Sequence, residues 1–130
     1  SHGAEYRAKL ATAREAVQAV RSGDWLEYGQ FAAQVVALDA ALAARRDELR
    51  DVKIRATTRV HGIPEVVRVD PTAQHFAYHN LHFSAADRKL HDQGLCWFVP
   101  ILYHEVPRNY REHYRVDVAM LPTAPMDERG

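Results

Sequence analysis

Four of the eight histidines fall in one stretch, QHFAYHNLHFSAADRKLHD, which runs from Gln74 to Asp92. Three of them, His75, His79 and His82, are four and three residues apart. Histidines can bind metals or transfer protons near neutral pH. A zinc site needs three or four ligands that converge on one point. No CxxC or HExxH motif accompanies these histidines, so the sequence predicts no metal site here.

Two other interpretations of the stretch stay open. In a strand, His75 and His79 would share a face and His82 would point away. Ser84 is expected to cap a following helix, and the N-terminus of a helix favours an anionic ligand. The histidines and aromatic residues therefore either pack beside a loop as a structural segment, or they face a substrate that carries a carboxylate.

Three further positions could contribute to a site. Glu27 and Tyr28 end a predicted strand before Gly29, where open α/β sheets bind their ligands; an ordinary turn explains them equally well. Cys96 lies between apolar residues, which predicts a buried, unreactive thiol. Asp117 is expected to position the chain at the entry of a strand. Neither a Walker loop nor a GxGxxG motif is present.

The predicted elements alternate between helices and strands. Apolar periodicity and end signals predict helices over 13–21, 34–49 and 85–93 and a short helix from about Pro107. They predict strands over 25–28 and 52–58, a buried strand over 95–101, and a strand from residue 116 that runs into a proline-punctuated loop by residue 125. A short extended piece is expected at 66–69, and an extended or irregular segment at 74–80. This order is typical of an α/β fold with an open, mostly parallel sheet and flanking helices.

Length and composition restrict the class of protein. The chain has 130 residues, enough for one domain, and its formal net charge is zero. A non-specific nucleic-acid binder would need a basic excess, and no apolar run reaches the roughly 20 residues that span a membrane. No secretory signal is visible, and the single cysteine excludes an intrachain disulfide, which together favour the cytoplasm. Residues 1–5 are expected to be a tag remnant and a disordered start, and residues 6–130 the domain.

Six stretches carry a resemblance to a known family. They are SGDWLEYG, ALAARRDELRDVKIR, DPTAQHFAYHNLHFS, DRKLHDQGLCWFVP, VPRNYREH and VDVAMLPTAPMDERG. In their order and spacing they resemble the N-terminal domain of the acetyl-CoA hydrolase/transferase family, of the butyryl-CoA:acetate and 4-hydroxybutyrate CoA-transferase type. The resemblance extends from about Tyr6 to Gly130.

The resemblance implies a two-domain enzyme with its active site between the domains. Such enzymes move CoA from an acyl-CoA to a carboxylate through a glutamyl-CoA thioester, without a metal or other cofactor. It also implies that the nucleophilic glutamate belongs to a C-terminal domain beyond residue 130, so this chain has no catalytic residue of its own and is expected to be inactive alone. The turn predicted over 125–130 would lead into that domain. An acyl-CoA hydrolase of the same family and a stand-alone ligand-binding module are the alternatives.

The resemblance also suggests which residues would touch the substrates. The expected set is Tyr28, Gly29, Gln34, His79, Asn80, His82 and Ser84. The family commonly has Asn-Ser-Trp-His-Phe-Ser where this chain has HNLHFS, so only the last three residues match. Ala33 and Val35 stand near the places of a family glycine and proline. These departures suggest a different partner acid, such as a dicarboxylate or a hydroxyacid. A half-enzyme would expose apolar surface, so we expect self-association and a homo-oligomer.

Overall fold

The computed structural model describes residues 2–125 and 127, so the turn predicted over 125–130 lies largely outside the described residues. The strands are β1 (Trp25–Gln30), β2 (Val52–Thr57), β3 (Phe76–Asn80), β4 (Trp97–Phe98) and β5 (Val118–Met120). The helices are α1 (His2–Lys9), α2 (Ala13–Ala16), α3 (Ala37–Ala43), α4 (Glu65–Val69), α5 (Ala85–Asp92) and α6 (Val106–Glu112). Short 3-10 turns cover Val17–Ala19, Phe31–Ala33, Arg46–Glu48 and Tyr103–Glu105.

The five strands form one parallel sheet in the order β4-β3-β2-β1-β5. This confirms the predicted α/β class with an open parallel sheet. Parallel strands need crossover connections, and the helices between the strands supply them. All the strands therefore end at the same edge, which we call the carboxyl edge of the sheet.

One face of the sheet carries the hydrophobic core. The alternate residues Leu26 and Tyr28 of β1, Ile54 of β2 and Tyr78 of β3 are at most 1% exposed. Three helices complete the same core cluster: α3 contributes Leu42, α4 contributes Val66 and α5 contributes Leu90. Burial of this face fixes the register of the strands, because a shift of one residue would turn every core side chain outward.

The opposite face, which we call the second face, is polar and aromatic. It presents Trp25 and Glu27 of β1, Arg55 of β2, and His79 of β3 beside Trp97 of β4. α6 packs against the β1 side of this face through Tyr110, whose hydroxyl donates to Glu27. Trp97 keeps 43% of its surface exposed.

Local end signals position several elements as the sequence predicts. Thr12 and Ser84 each form a capping box, with Glu15 and with Asp87, at the starts of α2 and α5. Asp117 accepts the backbone N–H of Trp25 at 2.8 Å and so joins the starts of β5 and β1, as expected. This hydrogen bond lowers the pKa of the Asp117 carboxyl.

The structure corrects five of the predicted elements. The helices predicted over 13–21 and 34–49 are shorter in the structure, as α2 and α3. The extended piece expected at 66–69 belongs to the helix α4. The buried strand expected at 95–101 is reduced to the two residues of β4, which lie exposed at the end of the sheet. The uncertain segment around residue 78 is β3, a buried interior strand.

The N-terminal segment, for which the sequence predicts a disordered start, is helical from residue 2. α1 covers most of residues 1–5, and none of its residues is buried. Among the described residues, no helix has the length and apolar character needed to cross a membrane.

Candidate functional site

A cavity of about 340 Å³ opens at the carboxyl edge of the sheet. Its walls come from the ends of β1, β2 and β3 and from the segment after β4. The wall residues are Gln30, Phe31, Thr57, Leu81, His82, Ile101, Leu102, Tyr103 and Val106. Most of these side chains are apolar, and Gln30, Thr57 and His82 add polar groups. Ligands of open α/β sheets bind at this edge, so we call this space the first cavity and treat it as the candidate site.

A second cavity of about 290 Å³ adjoins the first. The two share Gln30 and Thr57 as wall residues, and the second adds Glu27, Tyr28, Gly29, Tyr110, Val116, Ala119 and Leu121. Gly29 has no room for a side chain, because a Cβ there would meet the backbone carbonyl of Ala33. The Phe31–Ala33 turn thus folds directly over Gly29, which explains the glycine at this position.

Three residues clamp the ends of β2 and β3 together beside the first cavity. The Asn80 Oδ1 accepts the backbone N–H groups of His82 at 2.9 Å and of Thr58 at 3.3 Å. The backbone N–H of Thr58 also donates to the carbonyl oxygen of His82 at 2.8 Å. The Thr58 hydroxyl lies 2.9 Å from that same carbonyl oxygen and 2.7 Å from Nδ1 of His82. Asn80 is fully buried, and its hydrogen bonds hold the segments that follow β2 and β3. His82, in contrast, is exposed and lines the first cavity.

His79 lies away from both cavities. Its ring sits on the second face, 5.1 Å from the ring centre of Trp25 and 5.5 Å from that of Trp97. Burial among these rings lowers the pKa of His79, because it disfavours the charged imidazolium. The structure therefore places His79 in an aromatic stack and not in the cavity wall.

Three other predicted site residues have structural partners. The Tyr28 hydroxyl donates to Asp39 at 3.1 Å in the core, and burial raises its pKa well above the usual range. The Gln34 Nε2 donates to the Thr57 carbonyl oxygen at 2.9 Å, while its buried Oε1 has no partner among the described residues. Ser84 caps α5. Of the seven predicted residues, the structure thus brings Tyr28, Gly29 and His82 to cavity walls.

The three histidines of the cluster do not converge. His75 precedes β3 and is buried against the carbonyl oxygen of Leu49, whereas His82 follows the opposite end of the strand. Five strand residues separate them, a span of about 16 Å. Within residues 2–125 and 127, no group of three or more His, Cys, Asp or Glu side chains could hold a metal ion.

A cluster of acidic and aromatic side chains around Arg55 on the second face was not predicted from the sequence. Arg55 is 4% exposed, pairs with Glu27, and lies over the rings of Trp25 at 4.7 Å and Tyr114 at 4.1 Å. Burial raises the pKa of Glu27, and the Tyr110 hydroxyl and Arg55 act against this rise. The cluster fixes α6 on the sheet and so supports the wall of the second cavity. Strand alternation placed Glu27 and Arg55 on one face, but no sequence signal paired them.

Cys96 is buried, as predicted, and burial raises the pKa of its thiol. Because the thiolate is the reactive species, we expect a disulfide reagent to modify the folded chain at least about 100-fold more slowly than the unfolded chain. The measurement is the rate at which the reagent releases its own leaving thiol, with and without denaturant. The Cys96→Ser chain is the blank. Equal rates would contradict the burial of this side chain.

The chain matches one family over its whole length. The profile of the acetyl-CoA hydrolase/transferase N-terminal domain covers residues 1–130. The chain is 45% identical over 129 residues to a butyryl-CoA:acetate CoA-transferase of Anaerostipes caccae, covering 97% of this chain and 28% of that protein. It is 37% identical over 130 residues to a succinyl-CoA:cyclohexane-1-carboxylate CoA transferase of Geobacter metallireducens, covering all of this chain and 29% of that one.

A solved structure shares the fold. The crystal structure of RipA from Yersinia pestis superposes with a TM-score of 0.86 at 29% identity, over 98% of this chain and 32% of that chain. The chain therefore spans less than a third of the length of these relatives.

Proposed function

Because the chain belongs to the acetyl-CoA hydrolase/transferase N-terminal domain family, we propose that it forms part of an enzyme that moves CoA between an acyl-CoA and a small carboxylate. The first cavity supports this proposal most directly. Its apolar walls suit a short acyl chain, and its polar groups suit the oxygen atoms of a carboxyl or thioester group. Relatives that are named CoA-transferases support the same class of reaction.

The proposed chemistry needs a carboxylate nucleophile from outside these 130 residues. A glutamate would attack the thioester carbonyl and release CoA as thiolate, giving an acyl-glutamyl anhydride. The thiolate would then attack the glutamyl carbonyl, releasing the acyl group as a carboxylate and leaving a glutamyl-CoA thioester. An acceptor carboxylate would reverse these steps. Covalent catalysis divides one difficult exchange into easier ones, and beyond the CoA thioester substrates it requires no cofactor.

This chain would contribute binding and not the nucleophile. The carboxyl edge exposes Phe31, Leu102, Tyr103 and Leu121, each at least 46% exposed. A surface of this kind fits cover by a further domain, which would place the first cavity between two domains. We therefore propose a C-terminal domain and a second copy of the enzyme as partners. We also propose that the enzyme acts in the cytoplasm and that the chain alone is inactive.

Replacing Phe31 by alanine tests the role of the first cavity. The change removes an apolar wall, so we expect KM for butyryl-CoA to rise by about tenfold in the intact enzyme. The matched control is Val60→Ala, which shortens an apolar residue that is 57% exposed, against 46% for Phe31, and that lines neither cavity. The assay follows exchange of CoA between butyryl-CoA and acetate.

The same assay separates the alternatives. Release of free butyrate without acetate would favour the hydrolase, and binding without turnover would favour a ligand-binding module. Equal KM values for Phe31→Ala and Val60→Ala would contradict the assignment of the acyl group to the first cavity.

A further inference from the structure

We propose that His82 acts as a hydrogen-bond acceptor in the first cavity, where its Nε2 binds a donor group on an otherwise apolar, chain-like ligand. The proposal deepens the proposed function and depends on it for the identity of the ligand. It assigns to His82 the selection of ligands that carry a hydroxyl or an amide N–H beside their aliphatic portion.

The contacts of Thr58 fix which ring nitrogen carries the proton. A threonine hydroxyl has one hydrogen to donate and can also accept. Its oxygen lies 2.9 Å from the carbonyl oxygen of His82, which can only accept, so the hydroxyl donates there. The same oxygen lies 2.7 Å from Nδ1 of His82 and must then accept from an Nδ1–H. In a neutral imidazole this leaves Nε2 without a proton, as a hydrogen-bond acceptor.

The backbone conformation of Thr58 adds a second observation. Its φ is +43°, in the left-handed region, which is unfavourable for a β-branched residue. Strain of this kind persists only where the surroundings enforce it, and it concentrates at functional sites. Here the Asn80 Oδ1, which accepts from the backbone N–H groups of Thr58 and His82, and the hydrogen bond from the Thr58 N–H to the His82 carbonyl oxygen enforce it. The strained residue serves to hold the imidazole of His82 in one orientation.

The cavity defines the chemistry of the ligand. Nε2 has no hydrogen-bond partner among the described residues, although His82 lines the cavity. The surrounding walls from Phe31, Leu81, Ile101 and Leu102 are apolar. This space therefore suits a ligand that is largely aliphatic and brings one donor to Nε2. A hydroxyl on a short acyl chain and an amide N–H of the pantetheine arm of CoA both meet this requirement.

Nitrogen-15 NMR of labelled histidine in the intact protein tests the proposal. His82→Gln identifies the His82 signals by their loss. We expect Nδ1 to carry the proton and Nε2 to resonate as an unprotonated nitrogen. Thr58→Ser, which keeps the hydroxyl, should retain this tautomer, and Thr58→Val, which has a similar shape without the hydroxyl, should lose it. The backbone spectrum of each variant reports whether it folds.

Three probes then distinguish the source of the donor. Butyrate has no donor on its chain and should leave Nε2 unshifted, whereas 3-hydroxybutyrate, pantetheine or both should shift it upfield. A response to 3-hydroxybutyrate alone assigns the acyl chain, and a response to pantetheine alone assigns the CoA arm. A proton on Nε2 at rest, no shift with either donor, or an equal shift with butyrate would overturn the proposal. CoA exchange, measured on the same sample, tests the proposed function separately.

Discussion

Replacing Asp39 by alanine is expected to lower the free energy of unfolding by about 3–5 kcal/mol. The carboxylate is 2% exposed and holds four donors. It accepts from the Tyr28 hydroxyl at 3.1 Å, from Arg59 at 3.3 Å, and from the backbone N–H groups of Glu65 at 2.7 Å and Val66 at 3.4 Å. Alanine would leave the buried guanidinium without its counter-charge and the first turn of α4 without its cap.

Chemical denaturation measures this loss. The matched control is Asp47→Ala, because Asp47 has an 89% exposed side chain and only a long contact with Arg46, so its loss should change stability by less than about 1 kcal/mol. Asp39→Asn separates charge from shape, since the amide keeps an acceptor but leaves Arg59 unbalanced, and an intermediate loss is expected. Equal unfolding free energies for Asp39→Ala and Asp47→Ala would show that the network adds nothing to stability.

Signals within a few residues were sufficient to predict part of this fold. The capping boxes at Thr12 and Ser84 and the proline in the first turn of α6 each act over three or four residues. Gly23 and Gly94 stop the preceding helical segments at positive φ. The alternation of helices with apolar strands then indicated the parallel sheet, which the structure confirms.

Long-range contacts explain the elements that were mispredicted. The Val66–Val69 stretch is rich in β-branched residues and has strand propensity, but Asp39, 26 residues before Glu65, caps it as part of the helix α4. The apolar run after Gly94 suggested a buried strand. The chain leaves the sheet after Phe98, however, so the later apolar residues line the first cavity. Such effects depend on tertiary packing and have no local sequence pattern.

The candidate site was predicted only in part, for a similar reason. His82 was found because histidines are chemically conspicuous, and Gly29 because it follows a strand. Gln30 and Thr57 line both cavities, yet they are ordinary residues at the ends of strands. Only the order of the strands shows that the ends of β1 and β2 are neighbours. The strain at Thr58 is likewise a property of the backbone, which no residue type reports.

Replacing Gly29 by alanine is expected to cost about 3 kcal/mol, at the upper end for overpacking, because the obstacle is backbone. The new Cβ would lie 2.9 Å from the Ala33 carbonyl carbon and still closer to its oxygen, and 3.3 Å from a methyl of Leu121. The Phe31–Ala33 turn would have to move away. Because Phe31 is a wall of the first cavity and Gly29 of the second, the change should also weaken ligand binding in the fraction that remains folded.

Gly3→Ala provides the matched control. Its Cβ would meet only the Arg7 guanidinium, at an ordinary 3.6 Å. Since alanine is the better helix former by about 1 kcal/mol, this change should be neutral or stabilising. Denaturation gives the stability of both variants, and titration with butyryl-CoA of the intact enzyme gives the affinity. A Gly29→Ala protein as stable as Gly3→Ala, with unchanged affinity, would show that the turn is looser than this close approach requires. Reduced affinity in a folded Gly29→Ala protein would connect the turn to the ligand, because the residues that follow Gly29, Gln30 and Phe31, line the first cavity.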